Sequence, residues 1–482
     1  MELEIDNKQN KNKLNNFAEA QDIPKNTENK KTKLVDELID KIGLTRYAFR
    51  IYFIIALFFL ADGGEMIVIS LLISRLGNLW HLSHAEKGYL GSAVFLGFFL
   101  GAIIAGIISD NYGRKPTFMV GAFVASIFSM ASAFSPNFPS LVVFRALFGL
   151  GVGMSVPSCL SLATEITPNK FRAIIINGVW FFFPIGEIMA VIVAKYVLST
   201  EDGWKLLLGV VAVPISISSL FCLFINESPR FYLSKKSFGK AFETFEETLE
   251  YGEEKIELTD EMKNRIIKEE SATEIKANFS TLFSKEYLRL TCQVCSIFFI
   301  CSFTYYGICF ILPQIMEAEE NESLVKMNRS DAEEYMYNGL IISALAEIPN
   351  VPFTAFISNV KCIGRIRAMA IGFFFVMLSS IFGAAYIKAL NISSAFFKFF
   401  IGLPFGAIYV YTLEAFPTAI RSTATGVSNA CTRLGGILTP IITQMVFSYT
   451  HYAPLILYAI ISLGGMFISL FLPFETLGRD LG

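Results

Sequence analysis

Seven ionisable side chains fall inside long apolar runs of this sequence: Asp62, Glu65, Arg145, Glu187, Glu347, Lys398 and Arg433. A charge at bilayer depth costs at least about 2.5–3.5 kcal/mol, so those that remain face a cavity or a partner. Asp62 and Glu65 are three residues apart and share one helix face. Two close carboxylates in a poorly hydrated cavity repel one another and readily hold a proton, which suits proton-coupled transport or capture of a cation. The competing reading is that one acid only satisfies Arg145. Gly63 and Gly64, between the acids, would let the helix bend. Glu187 follows Pro184 in a kinked stretch and either joins the acids or forms a buried pair. Glu347 precedes Pro349 and Pro352, as a kink-site acid facing a cavity would. Arg145 opens a glycine stripe (Gly149, Gly151, Gly153). Lys398 lies near the outer end of its run and is expected to snorkel. Arg433 is the most informative: a guanidinium in a dry cavity binds carboxylates through two parallel hydrogen bonds, which favours an organic anion over pairing with a neighbouring acid. Tyr305, Tyr306 and Tyr409 are expected to touch substrate, because hydroxyls are costly in lipid.

No other chemistry is visible. The sequence has no G-x-x-x-x-G-K-[ST] phosphate loop, so ATP is not the energy source. It offers no nucleophile–base spacing, no metal cluster and no cofactor motif, and an enzyme is the weakest class. Cys292 and Cys295 form a C-x-x-C inside an apolar run, where helix packing is the expectation. None of the eight cysteines falls in an outer loop, so no disulfide framework is expected. A formal net charge of −2 gives no sign of a nucleic-acid partner.

The elements that must position these charges follow from composition. Of 482 residues, 53% are hydrophobic and 17% charged, against about 25% charged in soluble domains. Phe alone occurs 47 times, and mean hydropathy is +0.52. Twelve apolar runs, roughly 48–74, 88–109, 116–134, 138–164, 173–198, 204–226, 287–316, 337–358, 366–388, 393–414, 420–448 and 453–473, are each long enough to cross about 30 Å of hydrocarbon as a helix. Lys and Arg crowd the loops after every second run, which puts both termini and the 227–286 loop in the cytoplasm. The acidic loop at 317–334 then faces outward or into a lumen, with sequons at Asn321 and Asn328 and a third at Asn391 on the same side. His81, His84 and His451 lie there too.

The expected organisation is a disordered cytoplasmic tail (1–33), an amphipathic lead-in helix at the membrane surface (34–47), a six-helix bundle (48–226), a cytoplasmic linker with short helices (227–286), a second six-helix bundle (287–473) and a short tail (474–482). In the lead-in, Leu34, Val35, Leu38, Ile39 and Ile42 recur at helical spacing. In the linker, Phe238, Ala241, Phe242, Phe245 and Leu249 share a face.

The two halves repeat. Glu165-Ile-Thr-Pro168-Asn-Lys-Phe-Arg172 and Glu414-Ala-Phe-Pro417-Thr-Ala-Ile-Arg421 both read E-x-x-P-x-x-x-R. Gly113-Arg114-Lys115 is echoed by Gly364-Arg365 at nearly the same offset. A tandem duplication around a midplane cavity is a transporter architecture. Gly106-Ile-Ile-Ser-Asp110-Asn-Tyr-Gly113-Arg114-Lys115 resembles the G-x-x-x-D-R-x-G-R-K loop of the major facilitator superfamily. Glu227-Ser228-Pro229-Arg230 resembles the P-E-S-P-R of its sugar-porter and organic-ion branches, and Pro473-Phe-Glu475-Thr476-Leu-Gly478 is similar to P-E-T-x-G. Val35-Asp36-Glu37-Leu38-Ile39-Asp40 and Ala61-Asp62-Gly-Gly-Glu65-Met66 are similar to segments of the SV2-related group. The segment Cys431-Thr432-Arg433-Leu434-Gly435-Gly436 resembles one where anion carriers of the organic-ion branch place Arg. Asn111, Asn226 and Asn359 depart from these patterns.

The resemblance implies an all-α fold of twelve transmembrane helices in two bundles, with spans 1, 4, 7 and 10 lining the path. It also implies a latch at the cytoplasmic helix ends. There Asp110 would pair with Arg172, Glu165 with Arg172 and Glu414 with Arg421, while Arg114 and Lys115 would bridge the halves. The expected function is transport of a small organic ion, an anion favoured, by alternating access and with proton coupling. The host would be a plasma or intracellular vesicle membrane, and the only partners required are the ion, protons and lipid. The competing class is a transporter-like receptor or structural subunit of a membrane assembly, favoured by the three departures and disfavoured by the buried charges.

Overall fold

A computed structural model describes residues 34–200, 202–250, 258–271, 279–323, 329–386 and 389–477. The N-terminal tail expected at 1–33 lies outside the described residues. Every regular element among those described is helical: α1 (Leu34–Ile42), α2 (Arg46–Trp80), α3 (His84–Tyr112), α4 (Arg114–Ser132), α5 (Phe138–Ile166), α6 (Asn169–Trp180), α7 (Phe182–Val197), α8 (Gly203–Phe221), α9 (Pro229–Ser234), α10 (Phe238–Glu250), α11 (Asp260–Ser271), α12 (Leu288–Ser323), α13 (Arg329–Leu345), α14 (Asn350–Asn359), α15 (Gly364–Ala385), α16 (Leu390–Ala415), α17 (Thr418–Phe447) and α18 (Ala453–Leu470).

Eleven segments among the described residues are long and apolar enough to cross a membrane. The place of the expected third span is taken by α4, which is not among them. It is 19 residues long, opens on Arg114-Lys115 and carries three Ser and three Ala. Two spans are interrupted where proline removes a backbone donor and clashes with the preceding turn. Pro184 separates α6 from α7 at Phe181, and Pro349 separates α13 from α14. Helix starts follow side-chain caps: Thr45 Oγ1 accepts from the Ala48 amide at 3.0 Å, and Ser83 with Glu86 closes a reciprocal capping box.

Enclosure fixes which helices are central. In their most apolar stretches α2, α5 and α12 are 78%, 67% and 67% buried, against 22–50% for the other spans. Close approach between helices needs glycine. A Cβ on Gly149 or Gly153 would meet the carbonyl oxygens of Val94 and Phe98 at 2.0 and 2.2 Å, so α5 sits directly on α3. Gly63 and Gly64 serve the same purpose rather than bending, since α2 runs unbroken for 35 residues. A Cβ on Gly63 would stand 2.0 Å from the Phe183 carbonyl oxygen of α7.

The lead-in helix corrects the membrane-surface expectation. Leu34, Val35, Leu38 and Ile39 bury their apolar face against Leu233, Ala241, Phe245 and Ile266 of α9–α11. A protein surface thus takes the apolar area that lipid was expected to take. Arg230 ties this unit together through Asp36 at 2.5 Å.

The halves meet through α2 with α12, α3 with α17 and α7 with α13. Their contacts concentrate at the end opposite the chain ends. Ser92 donates to the Ile437 carbonyl at 2.6 Å, His84 meets Gln444 at 3.3 Å, and Lys195 pairs with Glu334 at 3.2 Å.

Candidate substrate cavity and charge clusters

Three groups of the expected charges come together, each in a different place. The first is enclosed by α2, α4 and α5. Arg145 directs one guanidinium nitrogen to Glu65 at 2.5 Å and its Nε to Ser132 Oγ at 2.9 Å, while Ser129 donates to the other Glu65 oxygen. Glu65 and Arg145 side chains are only 1% and 0% exposed. Ser129 and Ser132 were invisible to the charge-based reading, although their i, i+3 spacing on α4 puts both on one face.

Asp62, one turn from Glu65, is treated differently. It is half-buried and has no ion-pair or hydrogen-bond partner among the described residues. It faces a small cavity between the halves, lined also by Phe95, Phe98, Phe148 and Tyr306. Arg433 comes from the other half and lies across Phe98, its guanidinium carbon 3.5 Å from the ring centre. One of its nitrogens is 3.5 Å from the Tyr306 hydroxyl. No carboxylate among the described residues lies within ion-pair range of Arg433, so the pairing alternative is not realised there. A half-buried guanidinium over an aromatic face stays available for an anion. Tyr409 is turned away from that use, donating to Asn429 at 2.8 Å.

The second group straddles the interface and overturns the snorkelling of Lys398. Its side chain is 2% exposed, and its ammonium lies 2.6 Å from Glu187 of α7 and 2.7 Å from Glu347, in the break between α13 and α14. Tyr305 donates to the second Glu347 oxygen at 2.9 Å, and the Cys309 thiol lies 4.0 Å from Glu187. Glu187, Cys309 and Glu347 bring ligand atoms within 4.8 Å of one another, spacing that could hold a metal ion; the Lys398 ammonium lies among the two carboxylates instead. Lys398 could have been found as a Lys well inside an apolar run rather than at its edge, with acids in other runs to pair with it.

The third group is at the terminal end, and its pairing differs from the sequence expectation. Glu165 takes Arg114 at 3.2 Å rather than Arg172. Asp110 also takes Arg114, at 3.4 Å. Glu414 takes Arg365 at 3.0 Å, and Arg421 instead donates to the Phe416 carbonyl at 3.3 Å. The reason is geometric: the proline between Glu and Arg starts a new helix, so the two point apart, while the loop arginine folds back onto its own half. Arg114 therefore braces one half and does not bridge two. The Lys115 amide, not its ammonium, is used, donating to Glu227 at 3.1 Å. Glu475 does the same for the Arg365 and Ile366 amides, at 2.8 and 3.0 Å. Glu227 and Glu475 thus close matching turns at Gly113 (φ +115°) and Gly364 (φ +69°). The echo of Glu227-Ser228 in Glu475-Thr476 was readable at nearly the same offset as the others. Burial pushes the Glu227 carboxyl above its usual range, against the backbone amides of Ser228, Lys115 and Arg114, which pull it down. Asn359 stands where the acid was expected and accepts from Arg365 at 3.2 Å. Gly106 has open space around it, so no close approach explains it.

Of the sequons, Asn328 and the Asn321 side chain lie outside the described residues. Asn391 is corrected: it is 8% exposed in the first turn of α16 and donates to the Tyr335 carbonyl at 3.3 Å, leaving no room for a glycan.

A helical bundle of this kind, with a cavity between two similar halves, defines a multi-pass membrane transporter of the major facilitator type. The chain belongs to the family described as "Sugar (and other) transporter", whose model matches residues 13–482. It is 29% identical over 462 residues to the synaptic vesicle 2-related protein of Xenopus laevis, covering 93% of this chain and 82% of the relative. It is 27% identical over 488 residues to organic cation/carnitine transporter 7 of Arabidopsis thaliana, covering 93% and 95%. The xylose transporter XylE of E. coli, in a partially occluded inward-open conformation, shares the fold at a TM-score of 0.71 and 17% identity, covering 90% of this chain and all of XylE. Family and fold are those of transporters, not enzymes.

Proposed function

We propose that this protein moves a small organic anion across its membrane by alternating access, coupled to protons through Asp62. The observation that carries the reading is the cavity between the halves, with the unpaired acid Asp62 in its wall and Arg433, free of any carboxylate ion pair among the described residues, stacked on the lining Phe98. Arg433 would grip a substrate carboxylate, and the aromatic walls at Phe95, Phe98 and Phe148 would cover its apolar part. Asp62, close enough to Arg433 to interact electrostatically, would release its hold on a proton when the anion departs. With contacts concentrated opposite the chain ends, the cavity would open toward the cytoplasm. A relative named for organic cations and carnitine supports an organic-ion substrate class.

A thermal-shift screen of purified protein against organic anions, cations and sugars would identify a ligand. Uptake of that ligand into proteoliposomes then tests the site. Arg433→Ala should abolish uptake of an anion; unchanged uptake would overturn the anion reading. Asp62→Asn should abolish stimulation by an imposed pH gradient, and unchanged stimulation would remove Asp62 from coupling. A receptor or structural subunit would show neither ligand stabilisation nor uptake.

A further inference from the structure

The cluster of Lys398, Glu187 and Glu347 has a charge balance and a position that the cavity reading does not use. Lys398 and Glu187 are buried, at 2% and 1% exposure, and Glu347 is nearly so at 12%. Both carboxylates are placed as acceptors: Glu187 from Lys398 and Cys309, Glu347 from the Tyr305 hydroxyl with the ammonium alongside. While Lys398 is in place Glu187 is held as its carboxylate partner, and with Glu347 the cluster has two acids for one base. A buried ion pair persists only while its partner stays in place.

That partner is on the other half. Glu187 belongs to α7 of the first half, whereas Lys398, Glu347, Tyr305 and Cys309 belong to the second. The α7–α13 contact is one of those that close the end opposite the chain ends. Further out on the same two helices Lys195 meets Glu334. Among the described residues α2 and α8 form no ion pair with Glu187: beside it, α2 presents Leu60 and Gly64 to Gly186, and α8 presents Val211 to Gly64.

We infer that Glu187 is a proton-binding site that forms when the halves part at this end, so that opening there takes up one proton from the exposed side. Separation leaves Lys398 with Glu347 as a neutral pair in the second half. It leaves Glu187 alone on an apolar helix, where an isolated carboxylate is costly and a neutral carboxyl is not. The proton comes from solvent on the opened side and returns when Lys398 re-forms its bond. No covalent step is involved. The inference rests on alternating access but not on which substrate is carried.

The linkage sets the sign and size of the effect. One proton bound only by the open form raises the open-to-closed ratio as pH falls, by up to tenfold per pH unit. The test uses the full chain in liposomes without substrate. Spin labels are attached to unnatural amino acids at Tyr196 and Asn338, both exposed on α7 and α13, and their separation is measured between pH 8 and pH 5. The wild type should shift toward the long distance as pH falls. Glu187→Gln should show the long distance at pH 8 and no pH response. Lys398→Arg, which keeps the positive charge, should retain the response. A wild-type distance that ignores pH, or a Glu187→Gln variant with the wild-type slope, overturns the inference. If Glu187→Gln does not fold, Glu187→Asp decides: a retained response at a shifted midpoint supports the site, and an unshifted midpoint counts against it. Failure here leaves uptake by the Arg433 cavity intact, and failure of uptake leaves the distance measurement readable.

Discussion

Asp62 and Glu65 stand one helical turn apart on α2, and the difference between them lies in what the neighbouring helices supply. Glu65 is met by Arg145 and Ser129, so each of its oxygens has a partner. Removing one side of such a pair strands a buried charge, and Arg145→Ala should destabilise the protein by about 3–5 kcal/mol. Thermal unfolding in detergent would measure it; a loss under 1 kcal/mol would mean that water reaches the site. Replacing Arg145 and Glu65 together with apolar residues should recover much of the loss. The presence of the charges was legible in sequence, because ionisable residues stand out in an apolar run. Their partners were not, since Ser129, Ser132 and Phe98 carry no signal that separates them from other small or aromatic residues in a membrane helix. Glu227 offers a pH prediction outside the membrane. Its carboxyl is raised by burial, so the folded state holds its proton more tightly than the unfolded chain does. Stability from this group is present below the unfolded range and falls as pH rises through the raised value. Relative to the wild type, Glu227→Gln should therefore gain stability between pH 5 and pH 8. An unchanged difference across that range would show that the amide bonds outweigh burial.

At the scale of elements, glycines and prolines decide how closely helices approach and where they break. Gly149→Val should prevent folding, since even its Cβ would meet the Val94 carbonyl oxygen at 2.0 Å. Gly106→Ala has nothing to meet and should stabilise α3 by up to about 1 kcal/mol. Fluorescence-detected chromatography of the two variants would separate these outcomes, and equal behaviour would deny the packing account. The helices themselves were legible because an apolar run of span length has one outcome in lipid. The fate of α1 was not. Its amphipathic pattern states that one face is buried but not whether lipid or protein buries it, and α9–α11 provide the answer. In the same way the E-x-x-P-x-x-x-R spacing marked the right glutamates but suggested the wrong arginines. Sequence proximity cannot show that the intervening proline turns Arg172 and Arg421 away. Leu38→Asp should loosen the lead-in from the linker, read as faster proteolysis between α10 and α11; unchanged cleavage would place the helix elsewhere.

For the whole molecule, the halves are alike at the terminal end and unlike at membrane depth. The same brace is built twice: Arg114 on Glu165 with Glu227 closing the turn, and Arg365 on Glu414 with Glu475 closing it. The charges at depth are not repeated, and they divide into a clamp inside the first half, a cavity pair across the halves and the Lys398 cluster that joins them. A duplicated brace has a practical consequence: each copy serves as a reference state for the other. Of the side chains that face the arginine of each turn, one differs in formal charge: Asp110 in the first half and Asn359 in the second. Asp110→Asn gives the first half the second half's chemistry, and Asn359→Asp does the reverse. Made singly and together, the swaps form a closed thermodynamic square inside one polypeptide, in which the protein supplies its own control and any surplus in the double variant reports communication between the halves.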